Sequence, residues 1–256
     1  MNIRLLGVGC PSRRKTGGIT VRLDRLLANM GYGSRKEVKK WLKAGVVTVN
    51  GQVIREGQTK VDPAEDHIQF QGETVVYTPY IYLMLNKPQG VVSARHDPHF
   101  PTVLDLLEPA YLSYHLFPVG RLDKDTEGLL LLTNDGPLSH ALLSPKRGVE
   151  KEYEVHIDAP LSEKELTALR TGVRLEDGYV TRPAKVQVPN KDLPTKVLLT
   201  ITEGKFHQVK RMFKAIKREV LHLKRMRMGP LTLDPDLKPG EYRELTEEEI
   251  NLLGRG

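Results

Sequence analysis

The chain has 256 residues, 39% hydrophobic and 28% charged, with 39 Lys and Arg against 32 Asp and Glu for a formal charge of +7. That length has room for two domains, one of them small, and the composition excludes a disordered chain. The positive excess suits a polyanionic partner. The single cysteine, Cys10, excludes an intramolecular disulfide and a cysteine-based zinc site, which fits a reducing cytoplasm.

Residues 1–20 carry Arg4, Arg13, Arg14 and Lys15 beside a short apolar run, Leu5-Leu6-Gly7-Val8-Gly9, too weak for a secretory signal. They read as a flexible extension, with Val21 a candidate for the true start. No apolar run in the chain approaches the length of a membrane span.

From Val21 the pattern becomes regular. Leu23, Leu26, Leu27 and Met30 fall at helical spacing until Gly31 and Gly33 break it. Ser34, with Glu37 three residues on, is a capping-box signature for a second helix, whose buried face is expected from Val38, Trp41 and Leu42; Gly45 ends it. Val46-Val47-Thr48-Val49 alternates as a strand, and Asn50-Gly51 signals a tight hairpin before Gln52-Val53-Ile54. Asp62–Asp66 is rich in turn formers and acids. Residues 21–45 hold seven basic side chains, Arg22, Arg25, Arg35, Lys36, Lys39, Lys40 and Lys43, against Asp24 and Glu37. Five of them cover one side of the second helix, opposite its apolar residues. A solvated face is the ordinary account of such a helix; RNA contact is the alternative.

Thr78-Pro79 reads as a linker. Beyond it, Ile81–Leu85 is a strand ended by Asn86-Lys87-Pro88-Gln89-Gly90. His96 and His99 lie in a proline-flanked loop with only Asp97 near them, which reads as surface rather than metal. The segment Gly120-Arg121-Leu122-Asp123-Lys124-Asp125-Thr126-Glu127-Gly128 leads into Leu129–Leu132, a strand buried on both faces, and Asn134-Asp135-Gly136 ends that strand in a turn. The acids before it occupy a loop over the core, where function collects. Residue chemistry alone leaves Asp123, Asp125 and Glu127 equivalent. Residues 204–228 hold nine Lys or Arg against one acid, Glu219, and read as a phosphate-binding helix. At the end of the chain, Thr246 and Glu249 form another capping box and open a short terminal helix.

Two resemblances organise these pieces. R-L-D-R-L-L, S-R-K-E-V and W-L-K-A-G-V-V-T-V-N-G resemble an S4-type RNA-binding domain, a small αL fold, over residues 21–78. The likeness implies contact between its basic residues and the phosphates of structured RNA. G-R-L-D-x-x-T-x-G-L-L-L-L-T-N-D-G resembles the pseudouridine synthases, specifically the branch typified by the small-subunit ribosomal RNA uridine-516 enzyme. Leu83–Gly90, Pro101–Leu107, Lys151–Val155 and Glu203–Phe213 follow in that family's order, so the likeness spans roughly residues 21–250.

What the resemblance implies is an α+β chain, with the S4-type domain followed by a catalytic domain over residues 79–256. That domain is expected to be a mixed, largely antiparallel β-sheet flanked by helices. Pseudouridine formation breaks the N1–C1′ bond of a uridine, turns the base and rejoins it through C5, so it needs no cofactor and no metal. The family aspartate is Asp123, which acts as nucleophile at C1′, by addition to the base, or on the C2′ proton. A carboxylate in a closed site needs a nearby cation to stay ionised; the resemblance assigns that role to Lys210. It assigns Tyr153 to stacking on the flipped base and Arg121 to the space the base vacates. Lys205, His207, Gln208 and Arg211 are expected to contact RNA or support the site. The expected substrate is ribosomal RNA in a partly assembled small subunit, bound by a cytoplasmic monomer with no membrane partner. The competing readings are a large-subunit synthase of the same family, a non-catalytic S4-containing ribosome-associated protein, and a glycoside hydrolase using a second carboxylate from Asp125 or Glu127.

Overall fold

The computed structural model describes residues 20–112, 114–190 and 192–254; the expected extension over residues 1–20 lies almost wholly outside them. The chain forms two compact units. Of the described residues, one comprises those through Pro79 with Pro109–Tyr114, the other Tyr80–Glu108 with those from His115 on.

In the first unit, β1 (Val21–Arg22) leads into α1 (Leu23–Asn29) and then α2 (Arg35–Ala44). Ser34 caps α2 and Glu37 closes the reciprocal capping box. β2 (Val47–Val49) and β3 (Gln52–Val53) form a hairpin across Asn50 and Gly51, both at positive φ as a tight primed turn requires. β4 (Lys60–Val61) pairs with β1, and β5 (Ile68–Phe70) pairs with β2 and with β6 (Glu73–Thr74). Leu23, Leu26, Leu27, Val38, Leu42 and Val47 lose all solvent contact in the core, each contributing about 1.5–3 kcal/mol of burial. Trp41 does not join them. It stays 40% exposed, its ring edge-on to Phe70 at 6.3 Å, because its place on α2 is at the margin of the apolar stripe.

The second unit is built on a nine-stranded sheet. Beyond β6 the elements in chain order are β7 (Tyr82–Lys87), α3 (Pro109–Leu112, which belongs to the first unit), β8 (Phe117–Pro118), β9 (Glu127–Thr133), α4 (Gly136–Leu143), β10 (Lys151–Ile157), α5 (Glu163–Thr171), β11 (Lys185–Gln187), β12 (Lys196–Ile201), α6 (Gln208–Ala215), β13 (Val220–Met228), β14 (Leu231–Thr232), β15 (Tyr242–Glu244) and α7 (Glu247–Leu252). The main path of the sheet runs β11-β12-β10-β13-β9-β7-β15, with β14 on β13 and β8 on β9. Among the described strands of this sheet every pairing is antiparallel except β13 with β9, so the sheet is mixed and largely antiparallel, as the sequence resemblance implies. Leu129–Leu132 are buried on both faces at its centre.

Three local expectations need correction. The first strand of the unit does not stop at Leu85 but runs through Asn86 and Lys87, because that lysine finds hydrogen-bond acceptors inside the fold. Asn134-Asp135-Gly136 is more than a turn: Asp135 caps α4 by accepting from Leu138 N, and it also receives the Tyr82 hydroxyl at 2.9 Å. The basic stretch 204–228 is not one helix. It is the short α6 followed by β13, since β-branched Val220 and the Leu221–Leu223 run favour a strand.

Candidate active site

Between β9 and β13 the backbones approach so closely that only glycine fits. A Cβ on Gly128 would lie 2.3 Å from the carbonyl oxygen of Arg225, and its φ of +101° is one that other residues rarely adopt. This contact fixes the parallel pairing of Gly128 with Arg225 and sets the start of β9. The loop before it, Leu122–Thr126, carries Asp123.

That loop is held from below by buried polar groups. Lys87, with no exposed surface, donates its Nζ to the carbonyls of Pro88 (2.9 Å), Thr126 (2.9 Å) and Lys124 (3.3 Å). The Ser93 hydroxyl donates to Leu122 O and accepts from Leu122 N, and Gly90 N reaches Lys124 O. Burial pulls Lys87 down to about 8, while the carboxylates of Asp125, Asp123 and Glu127 pull it back up. Sequence pattern misses Lys87, which reads as part of a strand terminus; its sole signal is a charged residue directly continuing an apolar strand.

Above the loop lies a pocket open to solvent. It brings together Arg121, Asp123, Tyr153, Lys205, His207, Gln208 and Lys210 from segments far apart in the chain. Lys210, on α6, sets its Nζ 3.5 Å from Asp123 Oδ2 and 2.5 Å from Asp125 Oδ1. The lysine therefore bridges two acids, with the shorter contact to Asp125. Burial raises the Asp125 carboxyl, but the hydrogen bond and charge of Lys210 outweigh it and leave Asp125 below its ordinary value. His207 Nε2 stands 3.5 Å from the other oxygen of Asp123. The third acid of the loop, Glu127, turns away to His222 at 2.9 Å. Geometry thus separates three acids that residue chemistry leaves equivalent: Asp125 is engaged by Lys210, Glu127 by His222, and Asp123 faces the pocket between two longer contacts.

Tyr153 lies on the buried face of β10, 7% exposed, and forms one wall. Arg121 is exposed at the rim and makes no ion pair among the described residues. Gln208 anchors the start of α6: it donates to Glu203 at 2.5 Å and accepts from Lys205 N at 2.8 Å. Glu203 also takes the Tyr179 hydroxyl at 2.6 Å. His207, at φ +46° in the left-handed region, stacks on the exposed Phe206 ring at 3.7 Å between centroids. Lys205 lies over the Tyr179 ring at 4.9 Å. Arg211 does not line the pocket; it pairs with Asp177 at 2.5 Å. Two further cations do line it, Lys151 and Arg225, both buried; the sequence pattern places them in a family segment and a basic stretch but does not mark either as a pocket residue. Among the described residues no cluster of His, Cys, Asp and Glu has the geometry to hold a metal ion.

The first unit carries its own charged face. Arg25, Arg35, Lys36, Lys39, Lys40 and Lys43 are all exposed. Arg22 is committed, its guanidinium gripping the buried Asp24 through bonds of 2.7 and 3.1 Å.

Comparison with known proteins gives one consistent pattern. Residues 81–215 match the family described as RNA pseudouridylate synthase, and residues 21–68 match the S4 domain. The uncharacterised RNA pseudouridine synthase YtzG of Bacillus subtilis is 56% identical over 234 residues, which span 91% of this chain and 98% of that protein. The ribosomal small subunit pseudouridine synthase A of Escherichia coli is 42% identical over 233 residues, 90% of this chain and 98% of that protein. A crystal structure of a pseudouridylate synthase overlays with a TM-score of 0.63 at 38% identity, covering 91% of this chain and 99% of that one.

Proposed function

The chain belongs to the RNA pseudouridylate synthase family, and from that premise we propose that it isomerises one uridine of small-subunit ribosomal RNA, at the position equivalent to 516, with Asp123 as the working carboxylate. The observation that carries this reading is the placement of Asp123 in the pocket, within 3.5 Å of both Lys210 and His207 and facing the cavity walled by Tyr153. A uridine taken out of its stack meets a carboxylate beside the ribose and an aromatic face for its base. The unstacking costs a few kcal/mol, and Arg121, free at the rim, is suited to brace the vacated position.

The reaction conserves every atom of the substrate and transfers no electrons to a second molecule, so the chemistry calls for no cofactor. Lys210 supplies positive charge beside Asp123 and Asp125, and its hydrogen bond and charge hold Asp125 below its ordinary value. The exposed cations of α2 supply phosphate contacts that position the RNA without reading sequence. The substrate is a partly assembled small subunit, which an enzyme acting as a cytoplasmic monomer reaches before the target is enclosed. The large-subunit alternative has less support, because a relative named for the small subunit matches over almost its whole length.

The test is to incubate the protein with unmodified small-subunit RNA, naked and in partly assembled particles, and map carbodiimide-dependent reverse-transcription stops. A new stop with the native chain and none with Asp123→Ala is the expected result. Released uracil would point to hydrolysis instead, and tight binding with neither product to a binding protein. A stop only on large-subunit RNA would move the target to the other subunit.

A further inference from the structure

The floor of the pocket holds two buried cations that the roles above leave unused. Arg225 is 2% exposed and Lys151 is 8% exposed, and both line the cavity. Neither meets a carboxylate among the described residues. Arg225 donates Nε to Leu129 O at 2.8 Å, while its Nη2, fully buried, has no hydrogen-bond partner. Lys151 donates to Val149 O at 3.1 Å. Burial, and after it the charge of Arg225, hold the Lys151 ammonium below its ordinary value. Two like charges together in a dry place, one with an orphaned donor, are costly unless an anion visits them.

Register says where such an anion would sit. Tyr153 and Arg225 are direct partners across β10 and β13, and Lys151 lies two residues along β10 on the same face. Directly opposed side chains of antiparallel strands stand about 4.5–5.5 Å apart at Cβ. A flat ring resting on Tyr153 would therefore lie beside Arg225, at the side of the pocket that Lys151 also lines. An RNA phosphate fits poorly, since it would have to drag its backbone and hydration into this depth.

We propose that Arg225 and Lys151 form a cationic floor that stabilises the uracil ring as an anion while it is detached from the ribose. The inference rests on the pseudouridine-forming reading above. Written through Asp123 as nucleophile, the carboxylate forms a C–O bond to C1′ as the N1–C1′ bond breaks, and the bonding pair leaves on N1. That pair delocalises onto O2 and O4 of the ring, whose negative charge the two cations beneath it stabilise. After the ring turns, C5 attacks C1′ and the ester C–O bond returns its pair to Asp123. C5 then loses its proton and N1 gains one, so charge and atoms balance with no oxidant. Donors fixed in advance where charge develops are worth far more in such a site than in water.

The test compares single-turnover loss of the N-linked nucleoside from RNA carrying uridine or 5-fluorouridine at the target. Fluorine makes the departing base a weaker base and lessens its need for stabilisation. Arg225→Met should slow the uridine substrate by about 100-fold and the fluorinated one by only about 10-fold, with RNA affinity unchanged. Arg225→Lys, which keeps a cation, should recover most of the difference. Lys151→Met should show the same selective loss, and it decides the matter with Arg225→Lys if Arg225→Met does not fold. Equal losses on both substrates, near-native rates in the Met variants, or a loss explained by weaker RNA binding would overturn the floor. A native enzyme that leaves both substrates untouched would instead sink the functional reading itself.

Discussion

The two units use positive charge in opposite ways. On α2 of the first unit, Arg35, Lys36, Lys39, Lys40 and Lys43 all project into solvent without an ion pair among the described residues. In the second unit many cations are spoken for: Lys210 by Asp125, Arg211 by Asp177, Arg218 by Glu165, Arg243 by Asp234 and Glu249. Lys87, Lys151 and Arg225 are buried outright. Exposed, unpaired cations attract a polyanion at long range and release counterions when they touch it. Paired or buried cations do little of that, but they shape the field at one point. On the proposed reading, the same residue types serve capture in one unit and chemistry in the other.

The sharpest way to break this contrast is at Asp123. Asp123→Ala should reduce pseudouridine formation by at least about 10⁴-fold, while RNA affinity by filter binding stays within about threefold of native. A comparable loss of affinity would mean that capture and chemistry are not separate. Gly128→Ala is expected to destabilise the chain by about 3 kcal/mol, read from urea denaturation, because the added methyl collides with the Arg225 backbone. Replacing Lys36, Lys39, Lys40 and Lys43 together by Ala should weaken RNA binding on the order of 100-fold at 0.1 M salt and flatten the log–log salt dependence by about 3. The rate at saturating enzyme should hardly change.

Lys87 gives a pH signature to the buried set. Its folded pKa of about 8 lies below the ordinary lysine value of 10.5, so between those pH values the unfolded chain binds more protons at this site. Stability from this group therefore rises as pH rises across that window, and its charge weighs most against the fold below pH 8. The difference in unfolding free energy between native protein and Lys87→Met, measured from pH 7.5 to 10, should shift in favour of the native chain with increasing pH. The smallest effect is expected at Arg211, whose partner Asp177 already holds it. Arg211→Ala should alter RNA affinity by about twofold at most, in a titration run beside the α2 variant.

Features that depend on neighbours in sequence are readable from the residues alone. The capping boxes at Ser34 and Thr246, the Asn50-Gly51 turn and the buried run Leu129–Leu132 each rest on contacts a few residues apart or on a single period. The G-R-L-D loop is legible as a motif by likeness, although its three acids are equivalent as residue types. Trp41 shows the limit even within a helix: periodicity places it inward, and the width of the actual core leaves it at the edge.

What the sequence determined by itself is the order of elements, the basic face of α2 and the candidate carboxylate. The tertiary structure alone decided which acid is left facing the pocket and which cations are dry. Asp125 and Glu127 are distinguished by Lys210 and His222, residues 85 and 95 positions further along. Lys151 and Arg225 share the pocket floor only because β10 and β13 are partners across a sheet. Burial and charge pairing belong to contacts between distant segments, and no local pattern carries them, because a side chain's solvent is whatever the rest of the fold puts beside it.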